Sequence, residues 1–143
     1  MQKAIIVYWS GTGNTEIMAN KILEGLNNNN IKTDIYNISD ISLNDVLKYE
    51  NIILGSPAMG DEELEEETFE PFFEKFLEKA ENKNVAIFGS YGWGNMVWLD
   101  RWEERILKNR NINFINKLGV FSTPTNEEEE KCIKFGENLF VSK

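Results

Sequence analysis

Three short apolar runs constrain this chain more than anything else in it. They are Ala4-Ile5-Ile6-Val7-Tyr8-Trp9, Ile52-Ile53-Leu54 and Val85-Ala86-Ile87-Phe88, and each is followed at once by Ser and Gly. Short runs rich in β-branched and aromatic residues, with no polar alternation, read as parallel strands buried on both faces. Ile31 to Ile38 alternates instead, with Ile31, Thr33 and Ile35 on one side, as an edge strand does. Ile112 to Phe121 reads as a weaker strand, broken around Gly119.

Helical stripes separate these runs. Ala19, Ile22, Leu23 and Leu26 stand at i, i+3, i+4 and i+7. Phe69, Phe72, Phe73, Phe76, Leu77 and Ala80 carry the same spacing through three turns, and Pro71 fixes the start near Glu70. Leu99, Trp102 and Ile106 form the next stripe, with Trp98 beside it as a core residue. Cys132, Phe135, Gly136, Leu139 and Phe140 form the last, opened by a Thr125/Glu128 capping box. A short helix fits Ser42 to Leu47, and the Asn27–Asn30 run reads as a loop. The alternation of strand and helix implies an α/β fold, one domain over residues 1–143 with a doubly wound parallel sheet. Ligands on such sheets bind beyond the carboxyl ends of the strands.

Composition removes several function classes. The chain has 143 residues, a net charge of −9, no His and one Cys. Without His there is no imidazole base, Ser-His triad or His zinc site. A single Cys132 excludes an internal disulfide and any Cys-based cluster. The acidity argues against nucleic acid and anionic membrane surfaces as partners. No apolar run reaches spanning length and the N-terminus lacks a signal-peptide pattern, so a soluble cytoplasmic protein is expected. The charge is concentrated: ten acids and two bases between Asp61 and Glu81 carry −8, leaving −1 for the rest.

Topology gathers the loops after the three buried strands at one end of the sheet. The first, Ser10-Gly11-Thr12-Gly13-Asn14-Thr15, has two Gly and four small polar side chains and opens a helix. Such a loop aims backbone N–H groups and hydroxyls at an anion. It lacks the Lys of a Walker A loop, and Glu16 stands where the dinucleotide fingerprint has its third Gly. With no Lys or Arg, it suits a permanently held phosphate monoester better than phosphoryl transfer. An ordinary strand–helix turn capped by Thr or Asn is the competing reading. The second loop runs Ser56-Pro57-Ala58-Met59-Gly60-Asp61-Glu62, and the third Ser90-Tyr91-Gly92-Trp93-Gly94. Gly60 permits a peptide to turn over cheaply, and Trp93 between glycines has nothing local to pack on. A plain turn and an aromatic folded onto the core are the simpler accounts of each loop taken alone.

The three loops together resemble the short-chain flavodoxins of anaerobic bacteria, along the whole chain. Asn111 to Val120 leaves no room for the insertion of long-chain members. The resemblance implies a five-stranded sheet of order 2-1-3-4-5 and a non-covalently bound FMN. It implies a low-potential one-electron carrier, not an enzyme, cycling mainly between semiquinone and hydroquinone. By motif, Ser10 to Thr15 hold the phosphate. Met59 and Trp93 cover the two faces of the ring. The Gly60 carbonyl meets the protonated N5, and Glu62 bonds the N3 edge. Ser56 and Ala58, with Ser90, Tyr91 and Gly92, line the ribityl chain and pyrimidine; Pro57, Asp61 and Gly94 complete the binding segments. Pro57 stiffens the approach to Met59, and Ser122-Thr123-Pro124 matches no family signature.

The acidic block then acquires two expected roles. Asp61 to Glu67 should rim the flavin and disfavour its anionic form. Five acids ~10 Å away sum to on the order of 2 kcal/mol in water. That is about 80–90 mV for one electron at 59 mV per tenfold. Glu70 to Glu81 should extend down the exposed side of a helix and steer basic partner faces. The implied partners are low-potential oxidoreductases and flavodoxin or ferredoxin reductases docking around Asp61–Glu67 on a monomer. A flavin-dependent quinone or nitro reductase on the same fold is the alternative, although 143 residues leave no insertion for a substrate pocket. A phosphoacceptor receiver fits poorly, because Trp9-Ser10 and Ser56 stand where its acids belong.

Overall fold

The computed structural model describes residues 3–59, 64–92 and 96–140. Strands β1 (Lys3–Tyr8), β2 (Lys32–Asn37), β3 (Asn51–Gly55), β4 (Lys83–Tyr91) and β5 (Ile112–Phe121) pair in parallel in the order 2-1-3-4-5. Helices α1 (Asn14–Asn28), α2 (Leu43–Val46), α3 (Phe69–Lys79), α4 (Val97–Leu107) and α5 (Asn126–Asn138) connect or follow them.

Strand periodicity divides the core between the two faces of the sheet. Ile5, Val7, Ile52, Leu54, Val85 and Ile87 pack into the cluster that contains α3 and α4 residues. Ala4, Ile6, Tyr8, Ile53, Ala86 and Phe88 pack into the cluster built with α1 and α5. On the first face Trp102 meets the rings of Phe69 and Phe73 edge-on, at 5.3 and 5.8 Å. Trp98 and Trp102 are both buried. On the second face α1 and α5 run side by side: Lys21 pairs with Glu129, and Asn28 donates to Glu137.

Several expectations shift by a few residues. The Asn run does not begin a loop; Asn27 and Asn28 finish α1, and only Asn30, at φ 59°, turns left-handed. Asn tolerates that conformation better than most residues. β5 is continuous through Gly119, and its irregularity lies at Ile115, the extra residue between Phe114 and Asn116 in the pairing with β4. α5 stops at Asn138, leaving Leu139 at the cap and Phe140 at φ 55°. The Thr125/Glu128 capping box forms, and Ser42 caps α2.

The amino end of the sheet closes on itself. Asn51, Asn84 and Asn113 occupy equivalent register positions on β3, β4 and β5. Asn113 donates to Asn84 at 3.1 Å, Asn84 to Asn51 at 2.9 Å, and Asn51 to the Lys3 carbonyl at 3.2 Å. Beside this ladder the Tyr49 hydroxyl donates to Asp34, while the Lys3 ammonium lies 5.2 Å from the Tyr49 ring centre. Burial, and then Asp34, push the Tyr49 phenol up to about 12.

Candidate functional site

The first loop leaves β1 and turns into α1 at Gly13, which holds φ 101°. That conformation strains any residue with a Cβ. Gly13 is the N-cap, and no side chain bonds across the cap, so neither Thr nor Asn acts as the ordinary cap. Ser10 Oγ accepts instead from the Gly13 N–H at 3.1 Å and, at 3.4 Å, from that of Glu16. Among the described residues, the N–H groups of Gly11, Thr12, Asn14 and Thr15 meet no acceptor. They stand at the positive end of a four-turn helix with no Lys or Arg in the loop. Glu16, in the first turn of α1, faces Tyr8, whose phenol is pushed up first by burial and then by that carboxylate.

Ser90 joins the three loops. Its Oγ lies 3.4 Å from Thr15 Oγ1, and its carbonyl accepts the Ala58 N–H at 2.9 Å. The second loop can lie this close only because β4 has Gly89 beneath it. A Cβ there would fall 1.9 Å from the Ser56 carbonyl oxygen. Ser56 is fully buried, and its N–H donates to the Phe88 carbonyl at 3.1 Å. Met59 reaches the surface 39 % exposed, a large apolar side chain at the rim of the polar loops. Gly60, Asp61, Glu62, Trp93 and Gly94 lie outside the described residues.

A fourth loop joins the site without a sequence signal. The Thr123 hydroxyl donates to Asn14 Oδ1 at 3.1 Å, and the Ser122 N–H donates to the Tyr91 carbonyl at 2.7 Å. Ser122 holds φ 60°, which turns the chain from β5 toward α1. Tyr91 meets the exposed Phe121 ring edge-on at 5.4 Å. Only the general rule that α/β loops share the carboxyl end could have pointed to Thr123.

The acidic block is not uniform. Glu65 is 5 % exposed and its carboxylate caps α3, accepting the N–H groups of Glu67, Thr68 and Phe69 at 2.8–2.9 Å. Glu70 is clamped by the two guanidinium nitrogens of Arg105 at 2.7 and 2.6 Å, and that guanidinium lies over the Phe73 ring. Both therefore depart from the expected solvated rim and helix face. Glu66, Glu67, Glu74 and Glu78 are exposed as anticipated.

A phosphate monoester fits what the first loop offers. The donors are neutral, they converge at one helix N-terminus, and Gly13 keeps the approach free of a side chain. The family model for Flavodoxin matches residues 6–136. The chain belongs to the flavodoxin family. A flavodoxin of Clostridium beijerinckii is 44 % identical over 134 residues, covering 94 % of this chain and 96 % of that one. A flavodoxin of Megasphaera elsdenii is 42 % identical over 132 residues, covering 92 % and 94 %. The solution structure of the two-electron reduced M. elsdenii flavodoxin superposes with a TM-score of 0.85 at 41 % identity, covering 94 % of this chain and 96 % of that one. Flavodoxins bind FMN and carry electrons between redox partners; they do not convert a substrate of their own. The reductase alternative is not favoured by these likenesses.

Proposed function

We propose that this chain is a low-potential FMN electron carrier whose cofactor lies across the loops that Ser90 joins. The N-terminus of α1 carries that reading. It presents neutral donors that meet no acceptor among the described residues, in a loop without a cation, and the second loop adds an exposed apolar Met59. Bound FMN supplies reversible one-electron redox chemistry. The protein supplies the rest. The N–H groups of Gly11, Thr12, Asn14 and Thr15, with the Ser10, Thr12 and Thr15 hydroxyls, hold the phosphate. Ser56, Pro57, Ala58, Ser90, Tyr91 and Gly92 line the chain and ring edge. Met59 excludes water from one ring face. The motif likeness gives Trp93, with Gly94, the other face, the Gly60 carbonyl the bond to N5, and Glu62 the N3 edge with Asp61 beside it.

Partner docking belongs to the same proposal. Glu66, Glu67, Glu74 and Glu78 are exposed near the second loop and along α3, and steer basic faces of low-potential oxidoreductases and flavodoxin or ferredoxin reductases. A monomeric, cytoplasmic, single FMN-binding domain suits that role. Among the described residues, no helix is long and apolar enough to cross a membrane.

The test is FMN titration of the apoprotein by fluorescence, followed by an anaerobic redox titration. A yellow one-to-one complex with two separate reduction steps is expected. Removing the Thr15 hydroxyl (Thr15→Ala) should weaken FMN roughly three- to tenfold, about 1 kcal/mol for one hydrogen bond. A colourless protein indifferent to FMN overturns the proposal. For docking, reversing Glu66, Glu67, Glu74 and Glu78 together should slow electron transfer from a reductase at low ionic strength. Unchanged rates reduce these acids to a solubility feature.

A further inference from the structure

Glu65 is a buried acid that pairs with no cation among the described residues. Thr68 occupies the N-cap of α3, yet its side chain makes no cap bond. The acceptors come from Glu65 instead. Its Oε1 takes the Thr68 and Phe69 N–H groups at 2.9 and 2.8 Å, and its Oε2 takes that of Glu67 at 2.9 Å. Its carbonyl oxygen takes the Glu70 N–H at 2.8 Å. Capping from three residues upstream folds the entering chain back against the helix and fixes it there.

The same residue is tied to the second loop. The Glu65 N–H donates to Ser56 Oγ at 3.4 Å, and Ser56 Oγ donates to the Pro57 carbonyl at 3.2 Å. Ser56 is itself pinned to the Phe88 carbonyl, and Ala58 to Ser90. The buried Ser56 hydroxyl therefore joins the start of the second loop to the residue that caps α3. One side of that hydroxyl is anchored on β4 and the other on α3.

We propose that Glu65 is a positioning residue for the flavin. It ties the start of α3 to the second-loop segment that Ser56 begins, and so sets FMN affinity and the potential of the first reduction. The role rests on the reading that this segment meets the flavin. Because the coupling is reciprocal, FMN binding must in turn stabilise the bonds that Glu65 makes.

The variant Glu65→Gln keeps volume and one acceptor oxygen, but presents an NH2 donor where Oε2 received a backbone N–H. It is compared with Phe76→Leu, a core change in the same helix, at matched loss of thermal stability. Glu65→Gln should raise the FMN Kd about tenfold, and the first potential shifts by up to about 59 mV if that loss falls on one redox state. Phe76→Leu should leave both within twofold. Equal effects of the two variants overturn the role, since stability alone then explains them. If Glu65→Gln does not fold, the wild-type apoprotein decides. Adding FMN should slow amide exchange at Glu67, Thr68 and Phe69 more than at Phe76 to Ala80. Uniform or absent slowing overturns the proposal. A wild-type chain that takes up no FMN overturns the reading of the loops beneath it, and is seen before any variant is made.

Discussion

The two ends of the sheet solve opposite problems with similar residues. At the amino end, Asn51, Asn84 and Asn113 spend their amides on one another and on the Lys3 carbonyl. At the carboxyl end, Ser10, Thr12, Asn14 and Thr15 surround backbone N–H groups that meet no acceptor among the described residues. Satisfied polar groups hold strands in register, and unsatisfied ones wait for a ligand. Binding capacity therefore appears where internal accounting is left open, and chemical type alone does not reveal it.

The largest expected effect breaks the amino end. Asn84→Ala removes two ladder bonds and strands Oδ1 of buried Asn51. It should cost about 1–3 kcal/mol in urea unfolding, while FMN affinity stays within twofold. A large affinity loss would show that the ends are not independent. The complementary cut is Gly13→Ala, which forces a Cβ into φ 101° at roughly 1–2 kcal/mol. It should weaken FMN about tenfold, with most of the damage read in fluorescence titration. The smallest effect is a pH limb. The Tyr49 phenol is raised to about 12 when folded. Its contribution is complete below the unfolded value near 10 and is lost as pH rises from there through about 12. Phe at position 49 should flatten that limb of the stability curve and leave the first reduction potential unchanged.

The strands and most helix starts were legible because they follow from local rules. Apolar runs mark β1, β3 and β4, and Thr125 with Glu128 marks the start of α5. Where the acidic block, the fourth loop and β5 depart, a distant partner decided. Nothing in six closely spaced acids from Asp61 to Glu67 distinguishes Glu65, whose burial depends on where α3 begins and on Ser56 nine residues earlier. Glu70 is half-buried because Arg105, one helix later, lies within reach. The link between Thr123 and Asn14 spans 109 positions, which no periodicity reports. In the same way Ile115, not Gly119, bears the irregularity of β5, because register against β4 outweighs the residue most willing to bend.

The loop before α1 has no Lys or Arg, and that has a consequence for life in a variable ionic medium. A phosphate held by cations is released as salt rises. If that loop holds the phosphate as proposed, a dianion approaches a chain of charge −9, so added salt screens repulsion and leaves the neutral donors untouched. On the proposed docking face, attraction between the exposed glutamates and a basic partner would weaken under the same conditions. A rise in ionic strength would slow delivery of electrons without stripping the carrier of its flavin, so traffic is adjustable while the cargo holder stays loaded.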